Sequence, residues 1–258
     1  MTPRASARSK ILVQGEVSVA LNDNKGNETL KAENIIITTG SEVTPLPPVP
    51  VDNAAGKIID STGALALKRV PEHLVVVGAG VIGLELGSMY KRLGSKVTVV
   101  EFQDAACPGM DEKSVKEFTK LLKKQGLEFR FGTKVTASEV NGDVAKLTTE
   151  PPKGGDASTI DCNTVLVATG LTAGLGLEQM GIQTDKLGRI EVDDAFRTQV
   201  PGIFAIGDVI KGVMLAHKAE EEEEGVTCVE NIAGKHGHVN YGAIPGVIYT
   251  FPGFALVG

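Results

Sequence analysis

Tryptophan is absent, aromatic residues make up 4% of the chain, and three cysteines and four histidines occur among 258 residues. Cys107, Cys162 and Cys228 share no short spacing, so there is no CxxC, no CxxxxC and no zinc-like grouping with the histidines. This excludes a disulfide scaffold and a zinc site; no metal is expected, and the thiols read as reduced. Long apolar runs are also missing. The longest, Leu74–Leu84, is broken by glycines and closed by Glu85, too short to span a bilayer core of about 30 Å. No apolar stretch follows the basic, Ser-containing start MTPRASARSK, which excludes a secretory signal, while a solvated tail and a short organellar signal both fit it. Positive charge is in deficit as well. A net charge of −6 argues against a nucleic-acid partner, because phosphate contacts need clustered Lys and Arg.

What is plentiful is glycine, at 31 residues, which suits a fold whose tight turns join strands to helices around a ligand. The length allows one large domain or two smaller ones. Ile11–Leu21 alternates as a strand, Asn22–Asn27 turns, and Asn34–Thr39 is a short buried strand ending at Gly40. Pro45, Pro47, Pro48 and Pro50 then form a connector with little room for helix or central strand. From His73 the pattern becomes regular: strand HLVVV, turn GAGVIG, helix Val81–Leu93 with Ile82, Leu86, Met89 and Leu93 on one face, and strand KVTVV ending at Glu101. Asp111 caps a second helix, in which Val115, Phe118, Leu122 and Gln125 align and which Gly126 stops. LEFRF is a third strand, Asn141-Gly142 marks a hairpin, and TVLVATG closes this part. GRIEV and GIFAIGD read as strands, followed by a helix from His217 to about Ile232. This order predicts an α/β fold with a parallel sheet, right-handed crossovers and an added antiparallel hairpin.

Gly78-Ala79-Gly80-Val81-Ile82-Gly83 matches GxGxxG between a strand and a helix, and Glu101 follows 18 positions after the last glycine. Each part has a physical task in binding a dinucleotide. Gly78 permits the tight turn, Gly80 lets backbone N–H groups approach a pyrophosphate, and Gly83 lets the helix lie close to the strand. The helix N-terminus supplies positive potential. Glu101 is placed to accept from a ribose 2′-hydroxyl and would repel a 2′-phosphate, so NAD is expected rather than NADP. A solvated strand end is the plain alternative for Glu101. Glu85 lies among apolar helix residues, where its carboxylate needs a partner unless it faces solvent.

VVVGAGVIGLELGS with VTVVE, the strand VLVATG, TQVPGIFAIGD and MLAHKAE occur in this order. Together they resemble the pyridine nucleotide-disulfide oxidoreductases, and most of all those of the dihydrolipoamide dehydrogenase type, from about Val13 to Tyr249. The resemblance implies a Rossmann-like NAD domain inserted in an FAD domain. Residues 1–72 would be a partial FAD domain, 73–190 the NAD domain, 191–240 the return of the FAD domain, and 241–258 the start of an interface domain. It further implies that Gly78, Ala79, Gly80, Val81, Ile82, Gly83, Leu84 and Glu85 line the NAD site, with Glu101 at the adenosine ribose, Val135 on the adenine side and Gly170 at the nicotinamide end. Thr39, Gly40 and Ser41 would touch FAD. Asp208 would bond the sugar-alcohol chain of the flavin, with Met214, Leu215, Ala216 and His217 against the ring region. Plain alternatives stand beside these: a strand-to-loop turn at Thr39–Ser41, a cap at Asp208, and an ordinary hydrogen bond at His217.

The family pattern also places elements outside this sequence: an FAD-binding GxGxxG and the redox CxxxxC before residue 1, and the interface domain with its His–Glu base after residue 258. No catalytic residue is therefore expected in the chain, and the polypeptide alone is expected to lack disulfide reductase activity. The alternatives are a non-catalytic NAD-binding module and another NADH-dependent flavin reductase. A lipoyl-domain substrate, a homodimer and the mitochondrial matrix follow from the resemblance, with the cytoplasm as the other location. Two departures bear on the sites. Gly170 runs directly into Leu171-Thr172 where the family has Arg-Arg-Pro-Tyr-Thr, and five glutamates, Glu220–Glu224, stand where three acidic positions are usual. Two extra residues in a continuous helix would turn its following face by about 200°.

Overall fold

The computed structural model describes residues 8–13, 16–20, 27–172, 181–220 and 224–257. In chain order the first strands are β1 (Arg8–Val13), β2 (Glu16–Ala20), β3 (Asn27–Lys31), β4 (Ile35–Ile37), β5 (Glu42–Val43) and β6 (Ile58–Ile59). There follow α1 (Ser61–Ala66), β7 (His73–Val77), α2 (Val81–Arg92), β8 (Lys96–Val100), α3 (Glu112–Lys124) and β9 (Leu127–Arg130). The strands β10 (Lys134–Asn141), β11 (Val144–Glu150), β12 (Ser158–Cys162), β13 (Thr164–Val167), β14 (Leu171–Thr172) and β15 (Ile203–Ala205) come next. The chain continues with α4 (Ala216–Ala219), α5 (Glu224–Ile232), β16 (Gly246–Ile248) and β17 (Phe254–Leu256). It divides into two units: Val43–Leu171 with Pro245–Leu256, and Met1–Glu42 with Thr172–Ile244 and Val257–Gly258.

The first unit is built on a five-stranded sheet in the order β6-β13-β7-β8-β9, with every pairing parallel. Its central strands β13, β7 and β8 are mostly apolar and buried because both faces are covered, while the edge strand β9 keeps Glu128 and Arg130 exposed. Leu74 and Val76 of β7 and Val97 and Val99 of β8 join Leu84, Phe118 and Leu122 on the helix side. Val75, Val77 and Val100 point the other way, into Ala145, Leu147 and Ile160 of the antiparallel meander β10-β11-β12. The hairpin expected at Asn141-Gly142 is the β10–β11 turn, with Asn141 opposite Val144. The expected cap is also present: Asp111 accepts from the Ser114 N–H at 2.8 Å. β6 pairs with β13, and the Tyr90 hydroxyl of α2 donates to the Ala64 carbonyl of α1 at 2.5 Å, so the strand and helix before His73 are part of this unit.

The face of α2 differs from the expected one. Gly83, Leu84, Gly87, Ser88 and Tyr90 are buried, while Ile82, Leu86 and Met89 are half-buried and Leu93 is exposed. The buried face combines the large Leu84 and Tyr90 with the small Gly83, Gly87 and Ser88, which let the helix approach the sheet closely. A Cβ on Gly87 would lie 3.5 Å from both Val76 and Val97. No described helix is long and apolar enough to cross a membrane.

In the second unit β15 pairs with β4 in parallel, with Phe204 opposite Ile36. Ile37, Ile190, Phe196, Ile203, Ala205 and Cys228 share one core. Three sequence expectations change here. Ile11–Leu21 is not one strand: β1 and β2 pair antiparallel with Ile11 opposite Val17, so the chain reverses between them. GRIEV forms only isolated bridges at Ile190, to Thr184 and Ile210, beside a turn in which Asp185 accepts from the Leu187 and Arg189 N–H groups. The helix beyond His217 is two helices. Glu220 is extended, with ψ −160°, and α5 begins at Glu224. The two described helices are thus not one continuous helix across the glutamate run.

Candidate functional site

In the first unit the glycine-rich turn leaves β7 at the point where the sheet order reverses, between β8 and β13 (a switch point of the kind where α/β sheets bind ligands beyond their strand C-termini). The Gly78 N–H donates to the Val100 carbonyl at 2.8 Å. Gly78 has φ +107°, and a Cβ there would meet the Ala168 carbonyl oxygen at 2.3 Å. A Cβ on Gly83 would meet the Gly78 carbonyl at the same distance, so the turn and helix close on each other only without side chains. At Gly80 nothing lies within 4 Å of such an atom, which leaves backbone open to an approaching group. α2 starts with no side-chain cap and no acidic residue in its first turn, in contrast to α3 with Asp111 and Glu112. Its first N–H groups therefore face a ligand or water. Val81 and Ile82 are half-buried there, and Ala79 and Leu84 are fully buried.

Glu101 stands beside this turn and is half-buried. Its Oε2 accepts from the Ala79 N–H at 2.6 Å and its Oε1 from the Gln103 N–H at 2.8 Å. The carboxylate thus fixes the glycine-rich turn to the end of β8. Glu85 is half-buried and has the partner its position requires, the Tyr249 N–H at 2.7 Å before β17. Sequence reading had no signal for that bond, because Tyr249 lies 164 positions away. Val135 is buried at the start of β10, and Gly170, exposed with φ +134°, follows β13 and accepts from the Thr44 N–H at 3.0 Å. Cys107, whose backbone N–H donates to the Ala79 carbonyl at 3.0 Å, is buried, and that burial pushes its thiol up to about 11.

In the second unit Thr39, Gly40 and Ser41 follow the C-terminal end of β4, and Asp208 follows that of β15. The Ser41 hydroxyl donates to Asp208 Oδ2 at 2.8 Å, so these two expected positions meet. Met214, Leu215 and His217 are half-buried and Ala216 is exposed at the start of α4. Next to them is a pair that sequence reading passed over: Lys218 and Glu224, both fully buried, joined at 3.1 Å. In the sequence the glutamate run stands out only for its length; Glu224, its last member, stands at the start of α5 and is fully buried.

The profile described as pyridine nucleotide-disulphide oxidoreductase matches residues 5–222. The chain belongs to this family. Among its relatives, a "leghemoglobin reductase" of Vigna unguiculata is 53% identical over 252 residues, which is 96% of this chain and 47% of that protein. A mitochondrial dihydrolipoyl dehydrogenase of Arabidopsis thaliana is 52% identical over 96% of this chain and 49% of its own. Dihydrolipoyl dehydrogenase 3 of Pseudomonas putida is 53% identical over 95% and 52% respectively. The crystal structure of LpdA from Mycobacterium tuberculosis superposes with a TM-score of 0.84 at 25% identity, covering 98% of this chain and 55% of that one. The flavoprotein disulfide reductase RclA of Escherichia coli gives 0.81 at 25% identity, covering 97% and 56%. The chain spans about half the length of the curated relatives it matches.

Proposed function

We propose that this chain carries the NAD-binding part, and one side of the FAD-binding part, of a dihydrolipoamide dehydrogenase-type oxidoreductase. The reading rests on one observation above the others: a glycine-rich turn at the sheet's switch point, held by Glu101 and leading into an uncapped helix. Gly78 and Gly83 close the turn, Gly80 leaves room for a pyrophosphate, and the first N–H groups of α2 would bond its oxygens. Glu101 would orient the adenosine ribose, with Val135 on the adenine side. Glu85 and Gly170 would bound the nicotinamide end. In the second unit Asp208, with Ser41 beside it, offers a carboxylate to a flavin's polyol chain. Thr39, Gly40 and the segment Met214–His217 would complete that contact. Flavin and nicotinamide, when bound, supply hydride transfer; the protein supplies binding, orientation and charge.

The substrate of the whole reaction is proposed to be a dihydrolipoyl group, as the names of the relatives indicate, with a homodimer as the assembly. Plant relatives named mitochondrial support the mitochondrial matrix as its location. This polypeptide by itself is proposed to be inactive toward lipoamide, because its cysteines are all buried and none is paired. That observation also favours the second reading, a non-catalytic NAD-binding module. Calorimetric titration tests the NAD site: micromolar binding, weakened by about tenfold or more in Glu101→Ala, is expected from loss of a charge-assisted bond worth ~1.5–3 kcal/mol. Absence of NAD binding would overturn both readings. NADH-dependent lipoamide reduction by the purified chain would overturn its proposed inactivity.

A further inference from the structure

Lys218 and Glu224 are charged groups with no solvent exposure, a costly arrangement unless every polar atom is used. Their bonds converge on one residue. Glu224 Oε2 accepts from the Gly207 N–H at 2.7 Å, and the Lys218 ammonium donates to the Gly207 carbonyl at 3.3 Å. The remaining oxygen, Glu224 Oε1, takes Lys218 at 3.1 Å and the Tyr241 hydroxyl at 2.9 Å. Gly207 has φ +79°, a left-handed conformation that favours glycine, so the turn is a shaped one. The next residue is Asp208, whose carboxylate accepts from Ser41. Both ends of the residue that launches Asp208 are thus gripped by the two halves of one ion pair.

We infer that the buried Lys218–Glu224 pair is a positioning device that fixes the Gly207–Asp208 turn and so presents the Asp208 carboxylate to a polyol ligand. This rests on the reading of Asp208 as the partner of a flavin's sugar-alcohol chain. Ion pairing suits the task because it holds a donor and an acceptor together in a dry site, where each bond is stronger than in water. Glu224 makes its bond to Gly207 from the first position of α5.

The test is a double-mutant cycle on the full 258-residue chain, read as FAD affinity by flavin fluorescence and as amide exchange at Gly207 without ligand. Asp208→Ala is expected to weaken FAD by about tenfold or more. The neutral double variant Lys218→Met/Glu224→Gln, which leaves no unpaired buried charge, is expected to weaken FAD about tenfold with Asp208 present. With Asp208→Ala in place it should weaken FAD less than about twofold, because positioning matters only while there is a carboxylate to position. Equal losses on both backgrounds, or unchanged protection of the Gly207 amide, would overturn the positioning role and leave the polyol reading intact. No loss from Asp208→Ala, or no FAD binding by the unaltered chain, would overturn the polyol reading and the inference with it. If the double variant does not fold, Gly207→Ala perturbs the turn at its φ +79° residue while leaving both charges in place, and the same cycle is read with it.

Discussion

Two atoms of Glu101 organise the glycine-rich turn, and they do so through backbone rather than side-chain partners. One oxygen holds the Ala79 N–H and the other the Gln103 N–H. Glu101→Gln retains one acceptor, so it is expected to cost less NAD affinity than Glu101→Ala in the same titration. Gly83 is the stricter position. A methyl group there would sit 2.3 Å from the Gly78 carbonyl oxygen, and that oxygen is backbone that cannot swing aside. Gly83→Ala should therefore lower stability by ~1–3 kcal/mol, the range for overpacking, as measured by urea unfolding. Gly80→Ala, with open space around it, should leave stability nearly unchanged while reducing NAD affinity.

At the scale of elements, β7 and β8 carry both the fold and a pH response. His73 opens β7, with Nδ1 at 3.0 Å from the Asp161 carbonyl and Nε2 at 3.0 Å from the Thr98 hydroxyl of β8. Burial, followed by the nearby Lys96 charge, holds its imidazole below the ordinary 6.5. The unfolded chain then binds a proton more readily than the folded one, so this stability is complete above about pH 6.5 and declines as pH falls toward the folded value. His73→Asn should flatten the melting temperature across that acidic interval; an unchanged slope would place the response elsewhere. These strands were legible in the sequence because short valine-rich runs between turn signals leave few alternatives. The glycine turn, Asp111 and the Asn141-Gly142 hairpin were legible because their chemistry is local. The face of α2 was not, since contact with the sheet rewards Gly83 and Gly87 over Ile82 and Leu93. GRIEV was misread because its partners, Thr184 and Ile210, meet it only at Ile190. The Lys218–Glu224 pair and the Tyr249 bond to Glu85 depend on tertiary approach, which no spacing rule encodes.

At the scale of the molecule, each unit has its own core, and the thiols lie within them. Cys107 and Cys162 belong to the first unit, Cys228 to the second. Burial pushes each thiol to about 11, so at pH 8 only about one in a thousand is a thiolate, the form that attacks a disulfide. The native chain should react slowly with a colorimetric disulfide reagent, and three thiols should appear on unfolding in denaturant. Fast titration of any of them in the native state would mark a unit that opens locally. Loss of one partner of the buried pair is predicted to matter at this scale too: Lys218→Met alone should destabilise the second unit by ~3–5 kcal/mol, visible as an earlier transition for that unit in a thermal melt.

The grip of Glu101 on the Ala79 N–H has a kinetic consequence. A turn already set before any nucleotide arrives has little rearranging left to do. Association of NAD should then show a single phase, with a rate that rises in proportion to concentration and no plateau. In Glu101→Ala the turn has lost its anchor, and a saturating rate would reveal the ordering step that the carboxylate otherwise completes in advance.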